Sequence, residues 1–561
     1  MPVNLENLPS VRDFLSKENE YLALLNNSET WDKIPLLKHS KLPENGSLVR
    51  FRGMIQDMLD PEFFLEEYEV KTKDGHRIQD GRFADFLQYN QDDEEVDITC
   101  DSNKHGERRS LFLVTIPGIN EWADESKQES SKLPEVEKLT VNPGKRPEDQ
   151  EDASLKRQKL EDDSKAAEAV STHLSCEYLV NSPLPDRPSQ ACLVKIYKNF
   201  DKFRLNTILD VVGFLSVDPG LDGSTEEVAD MMNQEEHIVR NPPPSLIPRL
   251  HAISTREVQQ VNPFVRAIEG EDFQDISRDI LMMLTQCLFG DELAGRYLLA
   301  HLISSIQSRV GMEILGKMCL NLTNIPGISS GYSKSLYGIL EAVLPVSYRL
   351  EMTLENLNDR QFMPKKDYKT GKLTSGLLQL APRTNLVIDE TCLEPGQLQS
   401  GGIEAVKSLG HLIRNQSVEA DFQFYRLEYE SDVAVLILSE GKSLLPSDIM
   451  LPLKPDPKTQ EHIEETFKAA HQFIRTKSKA IRSFLSVQKA AQFDLDGNMQ
   501  STIQEDLVAV RKAFNATPEE LHNLLTLSRL VGKSLGKKKL YADVWELAKK
   551  MDEERRERIR K

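Results

Sequence analysis

The sequence predicts a multidomain protein that combines an α+β region, an α/β region and a helical end. Three observations predict this class. Strand-like segments cluster between residues 48 and 118 and resume near residue 190, helix and strand patterns alternate from 251 to 455, and only helical patterns follow Pro457. With 561 residues, the chain is long enough for roughly three or four domains of ~150 residues each.

The charge of the chain is strongly acidic. Asp and Glu total 89 against 70 Lys and Arg, a formal net charge of -19. Autonomous DNA binding normally needs a basic footprint that neutralises phosphates, so the composition favours a protein that binds other proteins. No apolar run approaches the ~20 residues of a membrane span, and we expect no membrane contact.

The first residues and the cysteines indicate a reducing compartment. "MPVNLENLPSVRDFLSKENE" has neither the basic stretch nor the apolar stretch of a signal peptide. The six cysteines lie far apart without a CxxC pair, which argues against disulfides and against a zinc site. We therefore expect free thiols.

The N-terminal half predicts a small barrel interrupted by an insertion. Residues 1–42 carry short helical signals, and residues 43–118 and 175–219 form an OB-like barrel. Its strands are expected in "LVRFRGMI", "EFFLEEYEV", "RRSLFLVTIPG", "ACLVKIYKNF" and "FRLNTILDVVGFLSVDP". Residues 119–174 are rich in Glu, Asp, Lys, Ser and Pro, a composition that cannot bury enough apolar surface to fold, so a disordered acidic insertion is expected.

The second half predicts an α/β domain followed by helices. Residues 220–250 form an acidic linker that ends in a proline-rich stretch. Residues 251–455 alternate helices with short apolar strands such as "NLVID" and "VAVLIL", which favours a largely parallel sheet. Residues 456–561 are helical, with Thr517 as an N-cap, Pro518 in the first turn and a solvated or frayed end at "DEERRERIRK".

Two glycine–lysine stretches resemble phosphate-binding loops only in part. "GMEILGKM" contains the GxxxxGK spacing, but Met318 stands where Ser or Thr would hold magnesium, and a helix precedes it where a strand is required. "LSEGKSLLP" follows a strand, yet Leu436 occupies the position of the first glycine. We expect neither to bind a nucleotide.

Two acidic motifs resemble a catalytic and a metal-binding motif only in part. Asp389 and Glu390 end the strand "NLVIDE" as the acids of an ATPase do, but without a phosphate-binding loop they have nothing to act upon. "DLDGNMQSTIQE" has the oxygen spacing of a calcium loop, but Met499 replaces its required glycine. With no catalytic motif elsewhere, the sequence predicts a protein that is not an enzyme, with no catalytic residue, cofactor or metal.

Two short signals indicate regulation. In the insertion, Lys145 and Arg146 precede a nine-residue spacer and then Lys156, Arg157 and Lys159, which predicts a bipartite nuclear localisation signal for an import receptor. A solvated charge cluster is the alternative. Ser182 stands before Pro183 in a loop and is a candidate site for proline-directed phosphorylation.

The opening strand leaves one further function open. Arg50 and Arg52 alternate with apolar residues as in a barrel that binds single-stranded DNA. Six acids stand between residues 48 and 70, and the strands offer no basic, aromatic platform. The arginines are therefore expected to pair with acids on a neighbouring strand, and a DNA-binding replication factor is kept as the alternative function.

Several ordered motifs resemble one family. They are "LVRFRGMIQDMLDPEF", "ACLVKIY", "LNTILDVVGFLSVDP", "PPPSLIPRLHAI", "GLLQLAPRTNLVIDET" and "ILSEGKSLLPSD", and in this order they are similar to the minichromosome maintenance complex-binding protein family, from about residue 43 to about 550.

The resemblance implies a nuclear protein that binds subunits of the minichromosome maintenance (MCM) replicative helicase. It implies roles in helicase assembly and protection of new subunits, in removal of the complex from replicated chromatin, and in sister-chromatid cohesion. Chromatin contact would be indirect, through the helicase. Barrel, linker, α/β domain and helical end then follow the layout of a helicase subunit, with a degenerate AAA+-like domain at 251–455 and a lid-like domain at 456–561.

Overall fold

The computed structural model describes residues 8–38, 42–72, 75–90, 93–98, 100–125, 174–217, 234–263, 265, 271–311, 313–327, 331–495 and 497–560. It is a mixed α/β protein with several sheets and helices. The predicted nuclear signal and most of the acidic insertion, residues 126–173, lie outside the described residues.

Short helices and a seven-stranded sheet form the first part of the chain. The helices are α1 (Val11–Ser16), α2 (Glu18–Leu25), α3 (Ser28–Trp31), α4 (Cys176–Val180) and α5 (Gln234–Arg240). The strands are β1 (Leu48–Thr72), β2 (Gly75–Asp80), β3 (Glu95–Val96), β4 (Lys104–Val114), β5 (Ala191–Ile196), β6 (Ile208–Ser216) and β7 (Arg249–Glu257).

Strand β1 is a single long strand where the sequence predicts two. Its first part pairs with β6 from Leu48 to Met54, and its continuation pairs with β4. The register shifts between Met58 and Pro61, and such an irregularity lets a strand pass a proline without breaking. Beyond the contact with β6, β1 also pairs with β2 and β3.

Strand β7 is absent from the sequence-based prediction, which assigns residues up to 250 to a linker. It pairs with β5 in parallel and with β6 antiparallel. Successive pairings therefore run from β1 through β4, β5, β7 and β6 and return to β1.

The first residues of the predicted insertion are ordered. Ala123 and Asn120 are buried, and the Asn120 amide donates hydrogen bonds to the Leu344 carbonyl (2.7 Å) and to Ser347 Oγ (2.9 Å). The expectation of disorder from residue 119 is therefore wrong for residues 119–125, because they fold against the connection that leads into the parallel sheet.

The middle of the chain alternates helices and strands, as predicted. The helices are α6 (Glu271–Cys287), α7 (Glu292–Leu302), α8 (Tyr332–Val343), α9 (Leu354–Asp359) and α10 (Ser400–Asn415). The strands are β8 (Ser308–Val310), β9 (Glu313–Leu315), β10 (Leu320–Thr323), β11 (Ser347–Glu351), β12 (Lys365–Asp367), β13 (Lys372–Thr374), β14 (Thr384–Asp389), β15 (Ser417–Asp421), β16 (Arg426–Glu430), β17 (Val433–Leu438) and β18 (Ile449–Pro452).

Two sheets organise this region. A five-stranded sheet has the order β11-β14-β17-β10-β18, and all of its pairings are parallel, which confirms the predicted parallel sheet. A four-stranded sheet has the order β13-β12-β15-β16. Strands β14 and β17 are fully buried, as expected for short apolar strands covered on both faces.

Helices dominate the last hundred residues, as predicted. They are α11 (Pro457–Glu461), α12 (Ile463–Ala490), α13 (Gln500–Phe514), α14 (Pro518–Ser534) and α15 (Ala542–Arg560), joined by the short strands β19 (Asp494–Leu495) and β20 (Lys539–Leu540). Thr517 caps α14 as expected. The expectation of a frayed end is wrong, because α15 continues to Arg560 and buries Asp552 between Arg555 and Arg556.

The cores cross the predicted domain boundaries. Leu373 and Ala420 of the four-stranded sheet belong to the same buried cluster as the strands of the first sheet. Polar contacts add to this junction, because Gln56 Nε2 donates to the Leu373 carbonyl (2.9 Å) and the Leu373 amide donates to Asp57 Oδ2 (2.9 Å). A second cluster joins α6 and α7 to the C-terminal helices.

Candidate functional site

The carboxyl edge of the parallel sheet is the candidate site that the fold defines. Strands β10, β14 and β17 all end there, and open parallel α/β sheets bind ligands at this edge. The edge carries Asp389 and Glu390 after β14 and Ser439 and Glu440 after β17, so the acidic pair predicted from "NLVIDE" lies where a nucleotide would be bound.

Asp389 is fully engaged by protein side chains. Its side chain is completely buried and accepts hydrogen bonds from Ser333 Oγ (2.5 Å), Thr391 Oγ1 (2.6 Å) and Arg349 Nη2 (2.9 Å). Burial alone would raise the pKa of Asp389, but these three donors lower it below its ordinary value. The carboxylate is thus held charged by the helix and strand around it.

Glu390 is also committed, to the loop that follows β17. Its Oε1 accepts hydrogen bonds from Ser443 Oγ (2.8 Å) and from the amide of Leu444 (3.2 Å). Burial raises the pKa of Glu390. The "GKS" stretch, residues 441–443, lies in the connection between β17 and β18, and this contact ties it to the end of β14.

The connection between β10 and α8 occupies the position of a phosphate-binding loop. It reads "NIPGISSG" from Asn324 to Gly331, follows a parallel strand and precedes a helix, whose N-terminus would face an anion. The stretch has no lysine. Residues 328–330 lie outside the described residues.

Sequence reasoning missed this connection because it searched for the GxxxxGK pattern. A better signal was available in the order of elements: the strand "LNLT", a stretch with two glycines, and a helical pattern from Tyr332. The order of elements therefore marks this connection as a candidate loop without any sequence motif.

The stretch "GMEILGKM" lies elsewhere and has a structural role. Gly311 adopts a positive φ of 61° in the turn between β8 and β9. Lys317 Nζ forms an ion pair with Asp448 Oδ1 at 2.6 Å and donates to the Ile413 carbonyl. The lysine therefore ties α10 to the segment before β18, far from the edge of the sheet that could hold a nucleotide.

The arginines of the opening strand are internal. Arg52 lies directly opposite Asp210 of β6 and contacts its Oδ2 at 2.8 Å, so it does pair with an acid of a neighbouring strand, although not with one of the six acids between residues 48 and 70. Both Arg50 and Arg52 also pair with Glu125, which the sequence did not predict. Only 6% of the Arg50 side chain and 15% of the Arg52 side chain are exposed, so neither offers a surface for phosphates.

The structure describes one of the two predicted regulatory signals and not the other. Lys145, Arg146, Lys156, Arg157 and Lys159 lie outside the described residues. Ser182 is half-buried in the loop after α4, where its Oγ donates to the Leu184 carbonyl (3.2 Å) and accepts from the Leu184 amide (3.3 Å). The phosphorylation of Ser182 remains a prediction. Among the helices that the structure describes, none is both long and apolar enough to cross a membrane.

The geometry defines a mixed α/β protein in which the two acidic side chains at the carboxyl edge of the parallel sheet, Asp389 and Glu390, are bound by other protein groups. The chain belongs to the mini-chromosome maintenance replisome factor family, whose model matches residues 21–559. It is similar to the mini-chromosome maintenance complex-binding protein of Drosophila melanogaster, with 42% identity over 597 aligned residues covering 100% of this chain and 98% of the relative. The proteins of the same name from Danio rerio (33% identity, 94% of this chain and 91% of the relative) and Homo sapiens (32%, 95% and 92%) are also similar.

Proposed function

We propose that this chain is a non-enzymatic nuclear factor that binds subunits of the MCM replicative helicase. It regulates replication by chaperoning or assembling the complex, or by unloading it from chromatin, and it contributes to sister-chromatid cohesion. The observation that carries the non-enzymatic part of this proposal is that Ser333 and Arg349 bind the carboxylate of Asp389 at the carboxyl edge of the sheet. The relatives named for binding the complex support the choice of partner.

The pairing order supports an OB-like assignment of the first sheet. An OB fold is a five-stranded Greek-key barrel. Here five strands pair in the order β1-β4-β5-β7-β6 and back to β1, with the one parallel pairing between β5 and β7. The arm of β1 that continues to β2 and β3 would be an elaboration of the loop after the first barrel strand.

The order of the parallel sheet supports the AAA+-like assignment. Numbered along the chain, its strands lie in the order 5-1-4-3-2, the order of AAA+ modules, and Asp389 ends the third of them. The C-terminal helices would correspond to the lid of such a module. Likeness of fold carries no function by itself, and the absence of a lysine from "NIPGISSG" supports the proposal that the chain does not turn over nucleotide.

The mechanism that follows is mimicry of a helicase subunit. Helicase subunits meet at their nucleotide-binding interfaces, and a chain shaped like a subunit that needs no ATP would occupy such an exposed edge. A bound mimic excludes the next subunit by mass action, since free energy of binding shifts the equilibrium away from the closed complex.

Affinity purification of the full chain from nuclei tests the proposed partner. Helicase subunits should be recovered whether or not ATP is present, and crosslinking followed by mass spectrometry should place the contacts. Recovery of the chain without any helicase subunit would refute the proposal.

Nucleotide turnover by the purified chain tests the non-enzymatic part. We expect no ATP hydrolysis by the wild type, by Glu390→Gln, or by the matched control Glu394→Gln, whose side chain is exposed four residues further on. Hydrolysis that is lost in Glu390→Gln and kept in Glu394→Gln would show an active site and contradict the proposal.

Nuclear import is proposed through the basic cluster of the insertion. Replacement of Lys156, Arg157 and Lys159 by alanine should move a fluorescent fusion of the full chain to the cytoplasm, through loss of an import receptor. Replacement of Lys132, Lys138 and Lys165 removes as many charges from the same insertion and serves as the control. If the two variants were distributed equally between nucleus and cytoplasm, the basic residues would be a solvated charge cluster and not a nuclear localisation signal.

Phosphorylation is proposed at Ser182. A proline-directed kinase should label the wild type and not Ser182→Ala, while Ser189→Ala, which lacks a following proline, should be labelled as the wild type is. Because Ser182 closes a short turn on Leu184, modification would first have to open that turn. Phosphate mapping that places the label elsewhere would rule this site out.

A further inference from the structure

The geometry points to a divalent-metal site formed by His411, Glu419 and Glu428. The ion would be a transition metal of the zinc type, which accepts imidazole nitrogen together with carboxylate oxygen. The three side chains come from three consecutive elements, α10, β15 and β16, that fold against one another. This inference goes beyond the proposed function and does not depend on it.

The distances fit ligands that converge on one point. One donor atom from each side chain lies within 4.8 Å of the others, and His411 Nε2 is 3.8 Å from Glu428 Oε2. An ion with ligand distances of about 2.0–2.2 Å holds neighbouring donor atoms roughly 3–4 Å apart. The cluster therefore needs only side-chain adjustment, and the exposed Glu428 side chain is free to make it.

The register of the hairpin explains why a cation at this position would be stabilising. Glu419 and Glu428 are directly opposite each other in the antiparallel pair of β15 and β16. Like charges that face each other across two strands are destabilising unless a positive charge lies between them. Arg426 neutralises part of this negative charge, because its Nη1 is 3.1 Å from Glu419 and its Nη2 is 3.2 Å from Glu404.

The surroundings of the histidine are those of an oriented ligand. Ser417 Oγ lies 3.0 Å from His411 Nε2 and donates to Glu428 Oε2 at 3.1 Å, so it links two of the three ligands and offers a further oxygen. The Asn415 amide contacts the other ring nitrogen, Nδ1, at 3.1 Å. These contacts hold the ring in place. Coordination through Nε2 needs the ring proton on Nδ1, so on metal binding the Asn415 side chain would turn its amide oxygen toward Nδ1 to accept that hydrogen bond.

The site lies midway along a hairpin whose tip carries exposed aromatic side chains. Phe424 is 87% exposed there, beside the exposed Tyr425 and Tyr368. A metal shared by α10, β15 and β16 would fix this hairpin to the helix that supports it. The sequence gives no hint of the site, because its ligands are spaced by eight and nine residues across a helix and two strands.

Zinc binding by the full-length chain, freed of metal by a chelator, tests the inference. A competition titration with a chromophoric chelator should show a site that is at least tenfold weaker in His411→Ala and in Glu428→Gln. His462→Ala is the matched control, because His462 is an exposed histidine beside the single carboxylate of Glu465, and it should bind as the wild type does. Circular dichroism checks that each variant is folded.

Arg426→Gln gives a prediction of opposite sign. It removes the cation that competes for Glu419, so zinc should bind more tightly than in the wild type. Weaker binding in Arg426→Gln would mean that Glu419 is not a ligand and that the site as described is wrong.

Cobalt in place of zinc separates this site from the thiols, of which Cys176 is exposed. Nitrogen and oxygen ligands give weak visible bands without thiolate charge transfer, and these bands should disappear in His411→Ala and persist in Cys176→Ser. Unchanged metal binding in His411→Ala, or bands lost only in Cys176→Ser, would overturn the inference.

Discussion

At the level of single residues, buried charges decide what this chain can do. Asp389 and Glu390 were correctly located by the sequence at the end of a buried strand, but their partners were not. Ser333 lies 56 residues from Asp389 and Arg349 lies 40 residues from it, and no local pattern connects them. The sequence therefore predicted which acidic residues end the strand. It could not predict which protein groups contact them, because that depends on which strands and helices pack together.

Arg52→Ala should destabilise the chain without changing its affinity for single-stranded DNA. The substitution leaves the buried Asp210 with fewer cations, although Arg256 still contacts it at 2.9 Å. We expect the free energy of unfolding to fall by up to about 3 kcal/mol, measured in urea. Arg77→Ala removes an exposed pair with Glu94 and should change stability by less than about 1 kcal/mol.

Salt-dependent DNA binding that is lost on replacing Arg50 and Arg52 would reverse this conclusion. Such a result would restore the single-stranded DNA alternative, since phosphate contacts weaken as salt rises.

Lys533→Met should stabilise the chain most at low pH. Lys533 is 1% exposed on α14, and burial lowers its pKa to about 7. Between pH 7 and about 10.4 the unfolded lysine binds a proton that the folded one does not, so the penalty is full below pH 7 and fades as pH rises.

The gain in unfolding free energy for Lys533→Met should be about 1–3 kcal/mol at pH 6 and should shrink steadily toward pH 10. Urea unfolding at several pH values measures it. Lys538→Met, at an exposed position four residues from the end of α14, should show no such trend. A gain independent of pH would mean that Lys533 is not titrating in this window.

At the level of elements, the sequence predicts the helices correctly from their periodicity and N-caps, but it does not predict where the strands begin and end. The helix with Thr517 as N-cap begins where the sequence places it. The sequence predicts two strands, 48–55 and 62–70, where β1 is continuous, because proline normally ends a strand and a register shift cannot be read from sequence. Strand β7 was missed because a proline-rich stretch precedes it and hides its pattern.

Thr517→Ala should weaken the start of α14. The Thr517 side chain accepts a hydrogen bond from the Glu520 amide at 3.2 Å, and the Glu520 carboxylate accepts one from the Thr517 amide at 3.0 Å. Loss of this reciprocal cap should lower the free energy of unfolding by about 1 kcal/mol. Thr476→Ala, within α12, is the control. An equally large loss of unfolding free energy in Thr476→Ala would show that the effect comes from removing any helical threonine and not from losing the cap.

At the level of the whole molecule, the parts predicted as separate domains share their cores. The sequence shows where strands and helices alternate, yet it cannot show that Leu373 packs among the strands of the first sheet. Pairing between residues more than 300 positions apart, such as Gln56 with Leu373, leaves no mark in local composition. The parallel sheet was predictable because each of its strands is locally apolar.

Leu373→Ala should lower the stability of the entire chain. Leu373 is buried between the first sheet and the four-stranded sheet, and its truncation should lower the free energy of unfolding by about 2–5 kcal/mol. Calorimetry should show one transition at a lower temperature. Leu444→Ala, at a side chain 54% exposed, should leave the transition in place.

Two well-separated transitions, of which Leu373→Ala moves only one, would show that the sheets unfold independently. The shared core would then be a contact between stable domains and not a common folding unit.

The late position of β7 has a consequence for how the chain is made on the ribosome. Strand β1 leaves the exit tunnel early, but the edge that pairs with β6 is covered only once Ser216 has been made, and β5 and β6 gain their partner β7 only at Glu257. At about 5–20 residues per second, these open strand edges wait on the order of ten seconds or longer for the strands that cover them. During that interval a nascent chain exposes unpaired strand edges, so the strongest demand for a folding chaperone falls before the parallel sheet has been synthesised.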